Sequence, residues 1–198
     1  MENLEPEILA TLKSHKIMIF DDVVSFEMTQ HVINNFESSN HVRRDIISSS
    51  GNKICFDEIN VSASPGWELT NDYVFDIIQE YTQVYRSMME IPNYAWPQKF
   101  GYEECRMKRY LPNNNDRFDE HVDVLDHASA RRFLVMFMYL NDVEEGGETA
   151  FYLNDTIIKV ATKTGRIIAF PPFWTHPHAG LIPISGNKYI IGSYLHFK

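Results

Sequence analysis

Near residue 102 the hydrophobic period of the chain changes, and that change constrains its fold more than any single motif. From there on the sequence reads as short runs: "EECRMKRY", "EHVDV", "RFLVMFMYLN", "TIIKVA", "RIIAFP" and "KYIIGSYLHF". They are rich in Val, Ile, Phe and Tyr, the residues that suit a pleated, half-buried surface. Between them stand "LPNNNDR", "DVEEGGE", "TKTG" and "PISGN", whose Asn, Asp, Gly and Pro are turn formers. Many short strands at fairly regular spacing predict a β-sandwich or barrel of the jelly-roll kind.

The first half reads differently. Residues 4–14 suit a short helix, and "KIMIFDDVV" (16–24) a strand and its exit. Ser25 is placed to cap a helix over about 26–37, with Glu27 in its first turn. The polar stretch 39–66 suggests short strands and loops around "KICFDEINV". Thr70 or Asn71 then caps a helix over about 72–89. Its Val74, Ile77, Ile78, Tyr81, Val84, Tyr85 and Met88 fall on one face, as expected of a helix packed on a sheet. No linker divides the 198 residues. The expectation is one α+β domain, with helical, sheet-extending support over about 1–100 and a jelly-roll core over about 102–198.

Charge and composition narrow the function. A net charge of −9 argues against a general nucleic-acid binder and against an anionic membrane surface. Cys55 and Cys105 lack metal-finger spacing and read as reduced thiols. The N-terminus has no basic, then apolar, leader pattern. No apolar run approaches the ~18 residues that a membrane span needs. These features lead one to expect a soluble cytoplasmic protein.

Candidate ligands sit in two places. In "HVD", His121 and Asp123 are two apart, so on a strand they share a face and make a two-point chelate. "WTHPHAG" adds His176 and His178, also two apart, and strand parity allows either one to join them. Two histidines and a carboxylate form the facial set typical of non-haem Fe(II), with positions left open, although zinc accepts the same donors. Pro177 between the histidines suggests an edge or a bulge. Lys188 opens an otherwise apolar strand. A lysine facing inward there requires an anion. A metal with open positions beside a buried cation suits a 2-oxo dicarboxylic acid.

In order, "HVD" (121–123), "RRFLVMFMYLNDVEEGGETAF" (131–151), "GRIIAFPP" (165–172) and "HAGLIPISGNKY" (178–189) resemble the 2-oxoglutarate- and Fe(II)-dependent dioxygenases, in their prolyl 4-hydroxylase-like branch. The resemblance covers about half the chain. It implies a double-stranded β-helix (cupin-like jelly roll), with Fe(II), 2-oxoglutarate and O2 required and ascorbate as a reductant. Its H-x9-K spacing selects His178, with His121 and Asp123, as the iron ligands. It gives Lys188 the distal carboxylate of 2-oxoglutarate and makes Tyr110, Tyr139 and Thr149 further cosubstrate contacts. Arg132 resembles an arginine near the substrate channel, and Trp174 and His176, from their place beside His178, join it as candidates on the substrate side. Phe118 and Val135 depart from the pattern, each replacing a hydroxyl that relatives carry. The implied substrate is a peptide or protein. A free amino acid or other small molecule, or a non-catalytic metal-binding cupin-like module, are the alternatives. Residues 39–66 or 111–119 are candidates for a loop over the site, and "PPFWT" and "NNNDR" for its mouth. Nothing in the sequence bears on oligomeric state.

Overall fold

The computed structural model describes residues 5–49 and 52–198. The elements run α1 (Pro6–Ser14), β1 (Met18–Phe20), α2 (Phe26–Ser38), β2 (Arg43–Ser49), β3 (Asn52–Asn60) and α3 (Glu68–Met88). There follow β4 (Phe100–Tyr102), β5 (Arg106–Tyr110), β6 (Arg117–His121), β7 (Arg132–Tyr139), β8 (Thr149–Leu153) and β9 (Thr156–Val160). The chain closes with β10 (Ile167–Phe170), β11 (His178–Gly180) and β12 (Lys188–Phe197).

The helices begin where local chemistry lets them. Ser25 caps α2, its hydroxyl accepting from the Met28 N–H at 3.3 Å. α3 starts earlier than expected: Thr70 and Asn71 lie inside it, and Trp67 is its N-cap. The reason lies in "PGWE". Gly66 turns the chain at φ 82°, and its N–H donates to Glu68 Oε1 at 3.2 Å, so Glu68 can open the first turn.

All described strand pairs are antiparallel, in the order β1-β10-β7-β12-β5-β3-β6-β11-β8-β9, with β2 on β3 and β4 on β12. The sheet curls into a jelly roll, giving an α+β fold. β3, from the "short strands and loops" stretch, sits between β5 and β6 in mid-sheet. β4 and β8 are also strands, outside the runs picked out in the sequence. β11 is paired on both sides, to β6 and β8, so "HPHAG" is no edge; the register does shift between His178 and Gly180.

After Arg132, β7 is apolar because both of its faces are covered. Leu134, Met136 and Met138 pack with Val32, Ile33, Phe36, Val74 and Ile78 of the helices. Val135 and Tyr139 turn the other way, into a second cluster with Phe151, Ile168 and Phe170. The same parity runs through β12, where Tyr189, Ile191 and Leu195 face the helices. Lys188, Ile190 and Tyr194 line a cavity inside the curl. Gly192 lets β12 approach β7: a Cβ there would lie 2.4 Å from the Met136 carbonyl oxygen. Among the described residues, no helix is long and apolar enough to cross a membrane. Both cysteines are free and buried.

Candidate active site

Pairing brings the two histidines together. His121 ends β6, His178 begins β11, and the two are register partners. Their ring centroids are 4.3 Å apart. Asp123 does not share a strand with His121, as parity had suggested, because β6 stops at His121. Beyond it, the Asp123 N–H donates to the Pro172 carbonyl at 3.2 Å, and this turn returns the carboxylate to the same place. His121 Nε2 lies 3.6 Å from Asp123 Oδ1, and His178 Nε2 lies 3.5 Å from Oδ2. One ligand atom from each of the three residues lies within 4.8 Å of the others.

The protonation pattern follows from the partners. His121 Nδ1 is 2.8 Å from the Asp119 carbonyl and His178 Nδ1 is 3.0 Å from the His176 carbonyl. A carbonyl only accepts, so both Nδ1 atoms donate; in a neutral ring this leaves Nε2 as a free lone pair. Burial, helped by nearby His121, pushes the His178 pKa down to about 4, against the pull of Asp123. The ring is therefore neutral near pH 7. Asp123 is held at about 2: burial alone would raise it, but the two histidines beside it and the Tyr194 hydroxyl outweigh that. Tyr194 donates to Oδ1 at 2.6 Å, whereas Oδ2 is buried with no hydrogen-bond partner among the described residues. Two imidazole lone pairs and an orphaned carboxylate oxygen converging on one point are a donor set that fits a divalent cation such as Fe(II).

Around this cluster lies a cavity of about 640 Å³. Lys188 is 2% exposed, and its ammonium sits 5.2 Å from the Tyr110 ring centroid and 5.5 Å from that of Tyr139. Among the described residues no carboxylate pairs with it, and burial pushes its pKa down to about 7 although Glu148 pulls the other way. Tyr110, paired to Lys188 across β5 and β12, lines the same cavity with Thr149. Thr149 is delivered by the "GGET" turn, where Gly146 and Gly147 both have φ 76°. Tyr139 does not line the cavity. It stands behind Thr149, hydroxyl to hydroxyl at 2.6 Å.

The three substrate-side candidates separate. Arg132 lines the cavity but is already engaged, with Nη2 on Glu103 at 2.8 Å and Nη1 on the Asp123 carbonyl at 3.0 Å. Its guanidinium lies 4.0 Å over the Tyr194 ring. Trp174 is 79% exposed and outside the cavity lining. His176 also lies outside it. Its Nε2 is 2.6 Å from the His15 carbonyl, which fastens the β11 approach to the end of α1. Tyr194, Lys108 and Glu103, all lining the cavity, went unnoticed in the sequence. Parity could have found two of them: if Lys188 faces inward on β12 so does Tyr194, and if Tyr110 faces inward on β5 so does Lys108.

The loop 111–116 is tied down. The fully buried Asp116 accepts from both Arg44 amino groups, from the Leu111 N–H at 2.9 Å and from Asn113 Nδ2 at 2.8 Å.

Residues 105–196 match the family described as the 2OG-Fe(II) oxygenase superfamily. The matched segment includes His121, Asp123, His178 and Lys188. The match and the His121–Asp123–His178 cluster support an oxidoreductase of the dioxygenase class that uses Fe(II), 2-oxoglutarate and O2. None of the curated proteins matches the chain. Solved structures show the same fold at low identity. The viral collagen prolyl hydroxylase of Paramecium Bursaria Chlorella virus-1, in its 2OG complex, is 22% identical with a TM-score of 0.64, over 92% of this chain and 96% of that one. A Pseudomonas putida prolyl-4-hydroxylase is 15% identical with a TM-score of 0.66, over 97% and 98%. A Trichoplax adhaerens prolyl hydroxylase, in complex with a hypoxia-inducible-factor peptide fragment, is 16% identical with a TM-score of 0.68, over 96% and 87%.

Proposed function

We propose that this oxygenase hydroxylates an unactivated C–H bond in a peptide or protein, prolyl residues first among the candidates. His121, Asp123 and His178 hold Fe(II) in this reading; Lys188, Tyr110 and Thr149 hold 2-oxoglutarate. The observation that carries it is the orphaned Asp123 Oδ2, facing two imidazole lone pairs in the cavity that also holds the unpaired Lys188. The peptide class rests on the prolyl hydroxylases that share the fold.

Bound together, Fe(II), 2-oxoglutarate and O2 supply an oxidant through decarboxylation of the 2-oxo acid to succinate and CO2, and the substrate gains one oxygen atom. The chain's part is positional. Backbone carbonyls fix both imidazole rings, and Tyr194 and Arg132 hold Asp123 by its side chain and its main chain. Lys188 meets the distal carboxylate, which restores the charge that burial disfavours. Phe118, stacked on His121 at 3.4 Å, and Phe170, edge-on to His178 at 4.8 Å, keep bulk water off the ligand rings.

Anaerobic titration with Fe(II) and 2-oxoglutarate tests the assignment. A weak visible metal-to-ligand charge-transfer band is expected, lost in His178→Ala and retained in His176→Ala; the reverse pattern overturns the ligand choice. Proline-containing peptides are then screened for a mass gain of one oxygen, and no gain on any of them removes the prolyl reading.

A further inference from the structure

Cations lining the cavity divide into those with partners and those without. Arg106 is paired to Glu58 at 2.6 Å and Glu104 at 2.9 Å, Arg131 to Glu103 at 3.6 Å and Arg132 to Glu103 at 2.8 Å. Lys188 and Lys108 have no such carboxylate among the described residues. Lys108 alternates with Tyr110 on β5 and so points into the cavity. Its ammonium rests 4.4 Å from the Phe56 ring centroid and 5.5 Å from that of Phe118. Aromatic faces stabilise a cation only in part, and a partly buried ammonium without a counter-ion is costly. Burial lowers its pKa, while Glu58 and Asp123 pull it up. Glu58 is already engaged by Arg43 and Arg106, and Asp123 belongs to the metal-ligand cluster.

The two lysines share one cavity, and the charge of Lys108 disfavours that of Lys188, while different acids act on each. The acid that acts on Lys188 is Glu148, next to Thr149; those acting on Lys108 are Glu58 and Asp123. One 2-oxoglutarate has a single distal carboxylate, and in the reading above Lys188 takes it. Lys108 therefore awaits a second anion. Phe118 links that position to the metal cluster, since its ring centroid lies 5.5 Å from the Lys108 ammonium and the ring stacks on His121.

We propose that Lys108 binds a carboxylate of the molecule being oxidised, so that the enzyme selects substrates with an acidic group close to the oxidised carbon. This rests on the site assignment above. The carboxylate has two possible sources, a free amino acid or an Asp or Glu side chain in a peptide.

The test is binding without turnover. Protein loaded with Mn(II) and 2-oxoglutarate under argon is titrated calorimetrically with matched probes. These are L-proline against L-prolinamide, and capped proline peptides flanked by Asp or Glu against Asn or Gln. In the wild type the carboxylate member of at least one pair is expected to bind about tenfold tighter or better. Preference for L-proline identifies the free amino acid as the source, and preference for the acidic peptide identifies the side chain. Lys108→Met should erase the preference and Lys108→Arg retain part of it, with 2-oxoglutarate affinity moving by less than about twofold in both. Equal binding of carboxylate and amide, or no binding by any probe, overturns the proposal. So does a parallel loss of 2-oxoglutarate affinity, which would make Lys108 a cosubstrate contact. A wild type that takes up no 2-oxoglutarate with Mn(II) overturns the underlying site assignment instead, and this proposal with it. If Lys108→Met does not fold, the wild-type pairs and Lys108→Arg decide.

Discussion

On the outer face of β2, β3 and β5, arginines and carboxylates neutralise one another. Arg44 meets Asp116 and Asp57, and Arg109 meets Asp57 and Glu37. On the inner face of β5 and β12, Lys108 and Lys188 have no partner among the described residues. The two regions share strands and differ only in which way the side chains turn. The contrast teaches a rule for reading charge in this fold. Paired charges hold the chain together, and unpaired cations in a cavity mark where a ligand completes the pairing. Breaking a pair should therefore cost stability, whereas removing a lone cation should cost binding.

The largest effect is expected on the paired side. Asp116→Ala strands the Arg44 guanidinium and the Leu111 N–H, and should cost about 3 kcal/mol, or about 10 °C in Tm. A thermal melt within about 2 °C of the wild type would show that the cluster is not structural. Next comes Lys188→Met, expected to weaken 2-oxoglutarate binding by about 100-fold while leaving Tm unchanged or higher, because an unpaired buried charge has been removed. A fall in Tm would place Lys188 among the structural charges. Its pH behaviour sharpens the point. The folded pKa, about 7, lies below the ordinary lysine value. The burial penalty is thus fully present below pH 7 and fades as the pH rises towards the unfolded value, so the Tm advantage of Lys188→Met should shrink on that path. In the proposed reading cosubstrate binding needs the ammonium, so above pH 7 it must take up a proton, and wild-type 2-oxoglutarate affinity should fall with pH while that of Lys188→Met stays flat. The smallest effect belongs to Tyr194→Phe. Losing the hydroxyl that orients Asp123 should weaken Mn(II) binding by about tenfold in an anaerobic metal titration, and unchanged affinity would leave the positioning to Arg132 alone.

Some of this was legible in the residues, and the rest was not for identifiable reasons. The jelly roll followed from the change of period, and the order of "HVD", "GGET", "FPP" and H-x9-K pointed to the family. Asp123 was placed on a strand because parity knows nothing of the Pro172 carbonyl that turns the chain after His121. β8 was missed because "TAFYL" follows glycines that read as turn, while the neighbouring strands supply the pairing. Trp174 and His176 looked functional from adjacency to His178, yet local sequence does not say which way a side chain turns. Tyr194 and Lys108 show the opposite lapse, since one known inward residue on each strand already implied them.

His121 and His178 are oriented by the same device, a main-chain carbonyl two residues earlier in the sequence. Any amino acid at 119 or 176 would offer that oxygen. The aim of the two rings is therefore written in the backbone path, out of reach of side-chain drift. Evolution can rewrite the residues beside both histidines, including the anchoring imidazole of His176, without re-aiming either ring, so long as the chain keeps its course.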